Sequence, residues 1–241
     1  MNGLRITGEA VFSDLVPLVV VAGLCCLFVS GRQIRFLGWL VAFIAIDDVI
    51  GLTPIIFHWN FGRWNWIGQT ASGLFALIVA KKFFSDNEIG LRMPRTRSEV
   101  SWTVLGIVGA LVIAIGGATF GPGNHPDIET FAYQATLPGL VEELSVRGVG
   151  LALLLKTFRT QENDRRGEWI AVLVNAVWFT SGHVFHLEDG KFFMVWARML
   201  DVFPMAIWYC VIRLRSHSLV GGVLAHNGAN LLVESILAVR F

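Results

Sequence analysis

Apolar runs of about 20 residues recur from end to end of this 241-residue chain, and each is long enough to cross a hydrocarbon core of ~30 Å as a helix. They fall at 12–30, 34–57, 65–84, 99–121, 131–155, 168–186, 192–213 and 218–238. Short polar breaks separate them: GRQIR, HWNFGRWN, KKFFSDNEIGLRMPRTRSE, GPGNHPD, KTFRTQENDRRGE, HLEDGK and RLRSH. The expected fold is therefore all-α, a polytopic integral membrane protein of about eight transmembrane helices. Three of them lie in residues 1–86 and five in a core at 87–241, within one continuous membrane domain. A composition of 54% hydrophobic and 15% charged residues, with mean hydropathy +0.62, suits lipid as the main solvent. A net charge of +1 supplies no basic field, so nucleic acid is not an expected partner.

Charge is informative by position. Thirteen of the nineteen Lys and Arg lie in the connections after spans one, three, five and seven: Arg32 and Arg35, five between Lys81 and Arg97, four between Lys156 and Arg166, and Arg213 with Arg215. The opposite side holds only Arg5, Arg63, Lys191 and Arg240. Short basic loops resist translocation, so both termini are expected to face away from the cytoplasm. Small size and short loops point to a bacterial cytoplasmic membrane. Cys25, Cys26 and Cys210 sit inside apolar runs and read as small buried residues rather than a disulfide or metal framework. Bulky Leu24 before Cys25 argues against lipoprotein cleavage, which leaves 12–30 as a retained helix.

An ionised side chain in hydrocarbon costs roughly 2.5–3.5 kcal/mol even on a lenient scale, so intramembrane charges are functional candidates. Span five carries Glu142, Glu143 and Arg147 in EELSVRG; span six carries His183 and His186; span eight carries His226, Asn227 and Asn230 in HNGAN. Glu143 and Arg147 at i,i+4 share a helix face with the acid N-terminal, the favourable order for an ion pair. Glu142 points elsewhere and stays available as a general base. Phe179, one turn before His183, shares its face and can wedge the imidazole in one rotamer. His226 and Asn230, also i,i+4, place two hydrogen-bond donors side by side, as an oxyanion site requires. Each feature alone also has a packing explanation, as interhelical glue.

In this order, the three are more specific. EELSVRG resembles the first motif of the CPBP family of intramembrane proteases, which includes the CAAX prenyl endopeptidases and Abi-like proteins. FTSGH resembles the second, Phe-x-x-x-His, and HNGAN the third, His-x-x-x-Asn. NEIGLRMPRTRSEVSW resembles the basic lead-in to the family's core, so the resemblance covers roughly residues 87–238. One departure is Val146, where the family usually has an aromatic residue before the arginine; it weakens packing beside Arg147. The resemblance implies an intramembrane endopeptidase acting on a membrane-associated peptide or protein, of CAAX or leader-peptide type. Glu142 and His183 would activate water, His226 and Asn230 would stabilise the oxyanion, and Glu143, Arg147 and Phe179 would support the site.

The same side chains permit a zinc reading, with Glu142, His183 and His226 as ligands and an open position for water. A metal-free site is preferred, because no His-Glu-x-x-His helix is present and Asn230 is a poor zinc ligand. His186 reads as an interfacial residue. Straight helices place Glu142 ~16 Å from the outer boundary, but His183 ~22 Å and His226 ~12 Å from the inner one, a mismatch that a re-entrant turn near LEDGK would relieve.

Asp47 and Asp48 in span two are expected to be paired in the interior, with an arginine of another span as candidate partner. Arg198 and Asp201 are expected to neutralise each other. Trp59, Trp64, Trp66 and Trp169 suit an interfacial belt. The rival classes are an ion-coupled transporter, which lacks any detectable inverted repeat, and a non-catalytic immunity or scaffold protein on the same fold.

Overall fold

The computed structural model describes residues 16–239 apart from 28, 30, 60, 119–124, 162, 189 and 190. Residues 12–15 of the first expected span, with Arg5 and Arg240, lie outside the described residues.

Helices dominate: α1 (Val16–Cys26), α2 (Ile34–Ile56), α3 (Trp66–Phe83), α4 (Asp86–Ile89), α5 (Arg97–Ala118), α6 (Ile128–Gln134), α7 (Leu137–Glu142), α8 (Leu151–Phe158), α9 (Arg165–Val184), α10 (Ala197–Ser216) and α11 (Val220–Ala238). A π-helical segment, Glu143–Gly150, joins α7 to α8. Among the described residues, α2 and α5 are by themselves long and apolar enough to cross a membrane.

Local chemistry sets where the helices begin. Asn65 caps α3 by accepting the Gly68 N–H while donating to the Gly51 carbonyl. Asp127 caps α6 through Thr130, Asp164 caps α9 through Gly167, and Ser85 with Glu88 forms a capping box on α4. Gly90 then ends α4 at φ +75°, a left-handed turn that glycine adopts without strain. The Arg213 guanidinium packs there and donates to the carbonyls of Asn87, Glu88 and Ile89.

The packing is that of a membrane bundle. On α5 the buried face is Gly106, Ala110, Ala114 and Ala118, and α10 and α11 close onto it. Its large apolar residues, among them Val104, Val108, Val112 and Ile115, face outward. Likewise α3 buries Gly68, Ser72, Ala76 and Ala80 and exposes Leu74 and Ile78. Lipid is as apolar as leucine, so small residues that let backbones approach occupy the contacts and large ones turn to the tails.

Two expected spans are corrected. The fifth, 131–155, is not one helix: the chain breaks at Ala135 and Thr136, and the run that carries EELSVRG spans α7, the π segment and α8. Pro138 lies in the first turn of α7, where its missing N–H costs no helical hydrogen bond. The seventh span starts at Ala197 rather than 192, because residues before it form a hairpin of β1 (Phe185–Glu188) and β2 (Lys191–Met194). Aromatic rings hold it, with His186 stacked on Phe193 and Phe185 on Phe192. A two-stranded sheet is thus added to the all-α frame.

One further expectation changes. Among the described residues Asp47 pairs with a hydroxyl rather than an arginine: its Oδ1 accepts from Ser72 at 2.6 Å. Trp64 and Trp66 both pack on Tyr133, and their indole N–H groups donate to Thr130 and Glu129. Trp59 and Trp169 are exposed, and Arg198 reaches Asp201 at 3.5 Å.

Candidate active site

The π-helical segment places the first motif. All eight of its residues are buried, and a widened turn of this kind commonly marks a functional position. Glu142 closes α7 and Glu143 opens the wider turn, so adjacent carboxylates enter the interior in different directions.

Glu143 and Arg147 are both fully buried, with Arg147 Nη1 at 3.4 Å from Glu143 Oε1. The guanidinium lies on the Phe179 ring at 3.9 Å and beside Tyr209 at 5.3 Å. None of its nitrogens has a hydrogen-bond partner among the described residues, so the ion pair and the two rings hold the charge. The expected aromatic support for Arg147 thus comes from α9 and α10, where Val146 cannot supply it.

Glu143 also accepts from His226 Nδ1 at 3.1 Å, and His226 Nε2 lies 3.7 Å from Glu142 Oε2. One imidazole therefore sits between two carboxylates. Its plane is fixed by Tyr209, stacked at 5.0 Å and 14°, and by the edge of Phe179 at 6.5 Å. Glu142 Oε2 is buried without a hydrogen-bond partner among the described residues, an acceptor left for another group.

His183 is positioned by Phe179 twice, by ring contact at 4.5 Å and by Nδ1–H donation to the Phe179 carbonyl at 3.0 Å. That bond makes Nε2 the lone-pair nitrogen of neutral His183, the form needed to accept a proton. Glu142, Arg147 and His226 all lie within electrostatic reach of it. Phe179 thus touches the side chains of all three motifs. Residues 125–232, which carry every one of them, match the family model of the Rce1-like type II CAAX prenyl endopeptidases.

Over that stretch the chain is similar to the Rce1-like family. Proteins of this family are membrane-embedded proteases that act on membrane-associated substrates. No curated protein and no solved structure matches the chain.

Within this site, Asn230 does not pair with His226: its Nδ2 donates to Gln134 Oε1 at 2.9 Å, at the end of α6. Its second N–H has no hydrogen-bond partner among the described residues. His186 stays outside, its Nε2 donating to the His183 carbonyl and its ring stacked on Phe193. Glu142 is five residues into α7, ~8 Å of rise, and His183 one residue from the end of α9. The two side chains nevertheless come within electrostatic reach of each other, so the separation in depth that straight helices imply is not present.

Sequence reasoning missed several contributors. Tyr209 and Tyr133 are the only tyrosines in the chain; one stacks on His226 and the other lies within electrostatic reach of Glu142. Gly222 faces Glu143, where a Cβ would come within 2.6 Å of Oε2. Asn227 bonds the backbone at Thr136 and Gly139, and Gln134 orients Asn230.

Among the described residues no three His, Cys, Asp or Glu side chains are arranged to hold a metal ion. The Nδ1–H bond to Glu143 leaves Nε2 as the other ring nitrogen of His226. Glu142, His183 and His226 are not gathered into a three-ligand set among the described residues.

Proposed function

We propose that the chain hydrolyses a peptide bond in a membrane-associated substrate with an extended CAAX-type C-terminus, by direct attack of water and without a metal. The observation that carries this reading is the His226 imidazole held between Glu142 and Glu143, with Arg147 behind it and His183 alongside. The family match supports the substrate class.

A water between Glu142 and His183 gives its proton to the Glu142 carboxylate, while His183 Nε2 accepts its second hydrogen and aims the oxygen lone pair at the scissile carbonyl. As the C–O bond forms, negative charge moves to the carbonyl oxygen. Asn230 meets it with an amide N–H, and His226 with Nε2–H. His226 already donates Nδ1–H to Glu143, so only its imidazolium form can donate at both nitrogens. Two carboxylates, one guanidinium and one imidazolium then sum to zero, which suits a buried site. Collapse of the tetrahedral species passes the Glu142 proton to the leaving amine. Around the site, the long helices are proposed to complete eight spans with both termini away from the cytoplasm, in a bacterial cytoplasmic membrane.

The test is cleavage of prenylated and unprenylated membrane-tethered peptides by the purified chain in lipid, alongside Glu142→Gln, His183→Ala and His226→Ala, with and without a strong zinc chelator. Cleavage that the substitutions abolish and the chelator leaves intact is the expected result. Cleavage that survives all three substitutions would overturn the site assignment, and chelator-sensitive cleavage restored by zinc would overturn the metal-free mechanism.

A further inference from the structure

The hairpin that replaces the start of the seventh expected span has no third strand: the described sheet consists of β1 and β2 alone. Its register pairs Phe185 with Met194 and His186 with Phe193, and the Val195 N–H donates to the Val184 carbonyl. In an antiparallel ladder, bonded and non-bonded pairs alternate. His186 and Phe193 therefore bond each other, while Phe192 and Met194 turn both N–H and C=O to the outer edge of β2. On β1 the corresponding edge is partly used, because the Phe185 N–H caps α9 by bonding Ser181. No hydrogen bond among the described residues engages the Phe192 or Met194 N–H from outside the hairpin.

Three facts bear on what this edge is for. A lone two-stranded hairpin is marginal in water, and a third strand is the usual remedy. Unpaired backbone groups are costlier still beside lipid, and this edge is apolar, with Phe192, Val195 and Trp196 exposed. The hairpin also grows directly out of the active site, since β1 begins two residues after His183. A peptide bond can be attacked by water only when it is freed from helical hydrogen bonding and presented extended.

We propose that the outer edge of β2 is the substrate-docking edge, where the extended segment of the peptide substrate adds as a third antiparallel or parallel strand. This rests on the protease reading of the Glu142 and His183 site. Pairing through alternate backbone groups of Phe192 and Met194 supplies affinity independent of side-chain identity. It also fixes the register in which the scissile bond meets the catalytic groups.

The experiment uses the full chain in lipid nanodiscs and a fluorescent prenylated CAAX-type peptide, with a set of the same peptide N-methylated at one amide at a time. Binding is measured on Glu142→Gln and cleavage on the unsubstituted protein. The expected result is a period-two pattern: methylation at alternate amides weakens binding roughly fivefold or more and the intervening positions do not. Met194→Pro, which removes an outward N–H without touching the ladder inside the hairpin, should weaken binding comparably at unchanged thermal stability. A flat methylation scan, no peptide binding, unchanged affinity in Met194→Pro, or crosslinking of β2 to β2 of a second copy would each overturn the proposal. Period-two binding without cleavage would instead retain the edge and count against the hydrolytic reading, so the two fail separately.

Discussion

Asn227 clamps the backbone of Gly139 across two helices: its Oδ1 accepts the Gly139 N–H at 2.8 Å, and its Nδ2 donates to the Thr136 carbonyl at 3.0 Å. The first turn of α7 has no side-chain cap of its own, so α11 supplies one from outside. A side chain at 139 would overlap the Asn227 carboxamide, which explains glycine at that position. His226, the residue before Asn227, meets Glu142, the last residue of α7. One helix therefore sets both the start of α7 and the environment of the carboxylate at its end.

Replacing Asn227 by Ala should lower stability by about 1–3 kcal/mol, the usual cost of leaving a buried backbone donor unpaired. Because small displacements at a reacting group are amplified in rate, kcat should fall more than KM rises. Thermal unfolding and steady-state cleavage of a prenylated peptide check both. Asn227→Asp, which keeps the acceptor for Gly139 and loses the donor to Thr136, should fall between Ala and the parent.

Glycine 222 is predicted to be irreplaceable for a reason confined to one contact. A methyl group there would lie 2.6 Å from Glu143 Oε2, and Glu143 has no exposed surface into which to move. Gly222→Ala should cost about 1–3 kcal/mol as overpacking and abolish most cleavage by pushing Glu143 away from His226 and Arg147. Gly228→Ala on the same helix meets nothing nearer than Leu111 at 3.7 Å and should be close to neutral. Equal losses at both positions, in cleavage and in thermal unfolding, would show helix propensity at work rather than the Glu143 contact.

The membrane class and the three polar clusters were legible because each is a local property of the chain: apolar length, basic loops, and charged residues where lipid forbids them. The break at Ala135 and Thr136 was hidden because FAYQATLPGL stays apolar enough for the run to pass through it, although Pro138 was a signal. The hairpin was also readable in part, since Asp189-Gly190 between two aromatic-rich runs is a strong turn signal. A span-length window of hydropathy averages it away. Tyr209 over His226, Gly222 against Glu143 and Gln134 against Asn230 had no such signal. They depend on how separate helices rotate against each other, which single-helix periodicity does not fix.

Stability should depend on acid through the two loop caps. Asp127 is pulled down to about 2 by the Thr130 backbone N–H, then the Thr130 hydroxyl and Arg63; Asp164 is pulled down to about 2 by the Gly167 backbone and Thr160. Both folded values lie below the ordinary 3.8 of the unfolded carboxyl. The stabilisation is thus fully present above pH ~4 and is lost as pH falls through 3.8 towards 2. Thermal unfolding in detergent should show this loss, and Asp127→Asn with Asp164→Asn should flatten it, since a carboxamide still caps but does not titrate.

Arg147 sets the last prediction. Its guanidinium is fully buried, lies 3.9 Å from the centre of the Phe179 ring and finds no hydrogen-bond partner at any nitrogen among the described residues. A desolvated cation over an aromatic face gains ~2 kcal/mol or more, so Phe179→Leu should cost about that much stability. It should also cost activity, because His183 loses its ring contact. Tyr209→Phe keeps the ring stacked on His226 and should retain most activity, whereas Tyr209→Leu removes the stack and should shift the pH profile of kcat by freeing the imidazole to reorient. Arg147→Lys is not conservative here: a compact ammonium cannot lie flat on Phe179 while meeting Glu143. It should be closer to Arg147→Ala than to the parent in both thermal unfolding and cleavage. If Lys instead restored both, charge alone would account for position 147, and the two rings would be packing without an electrostatic part.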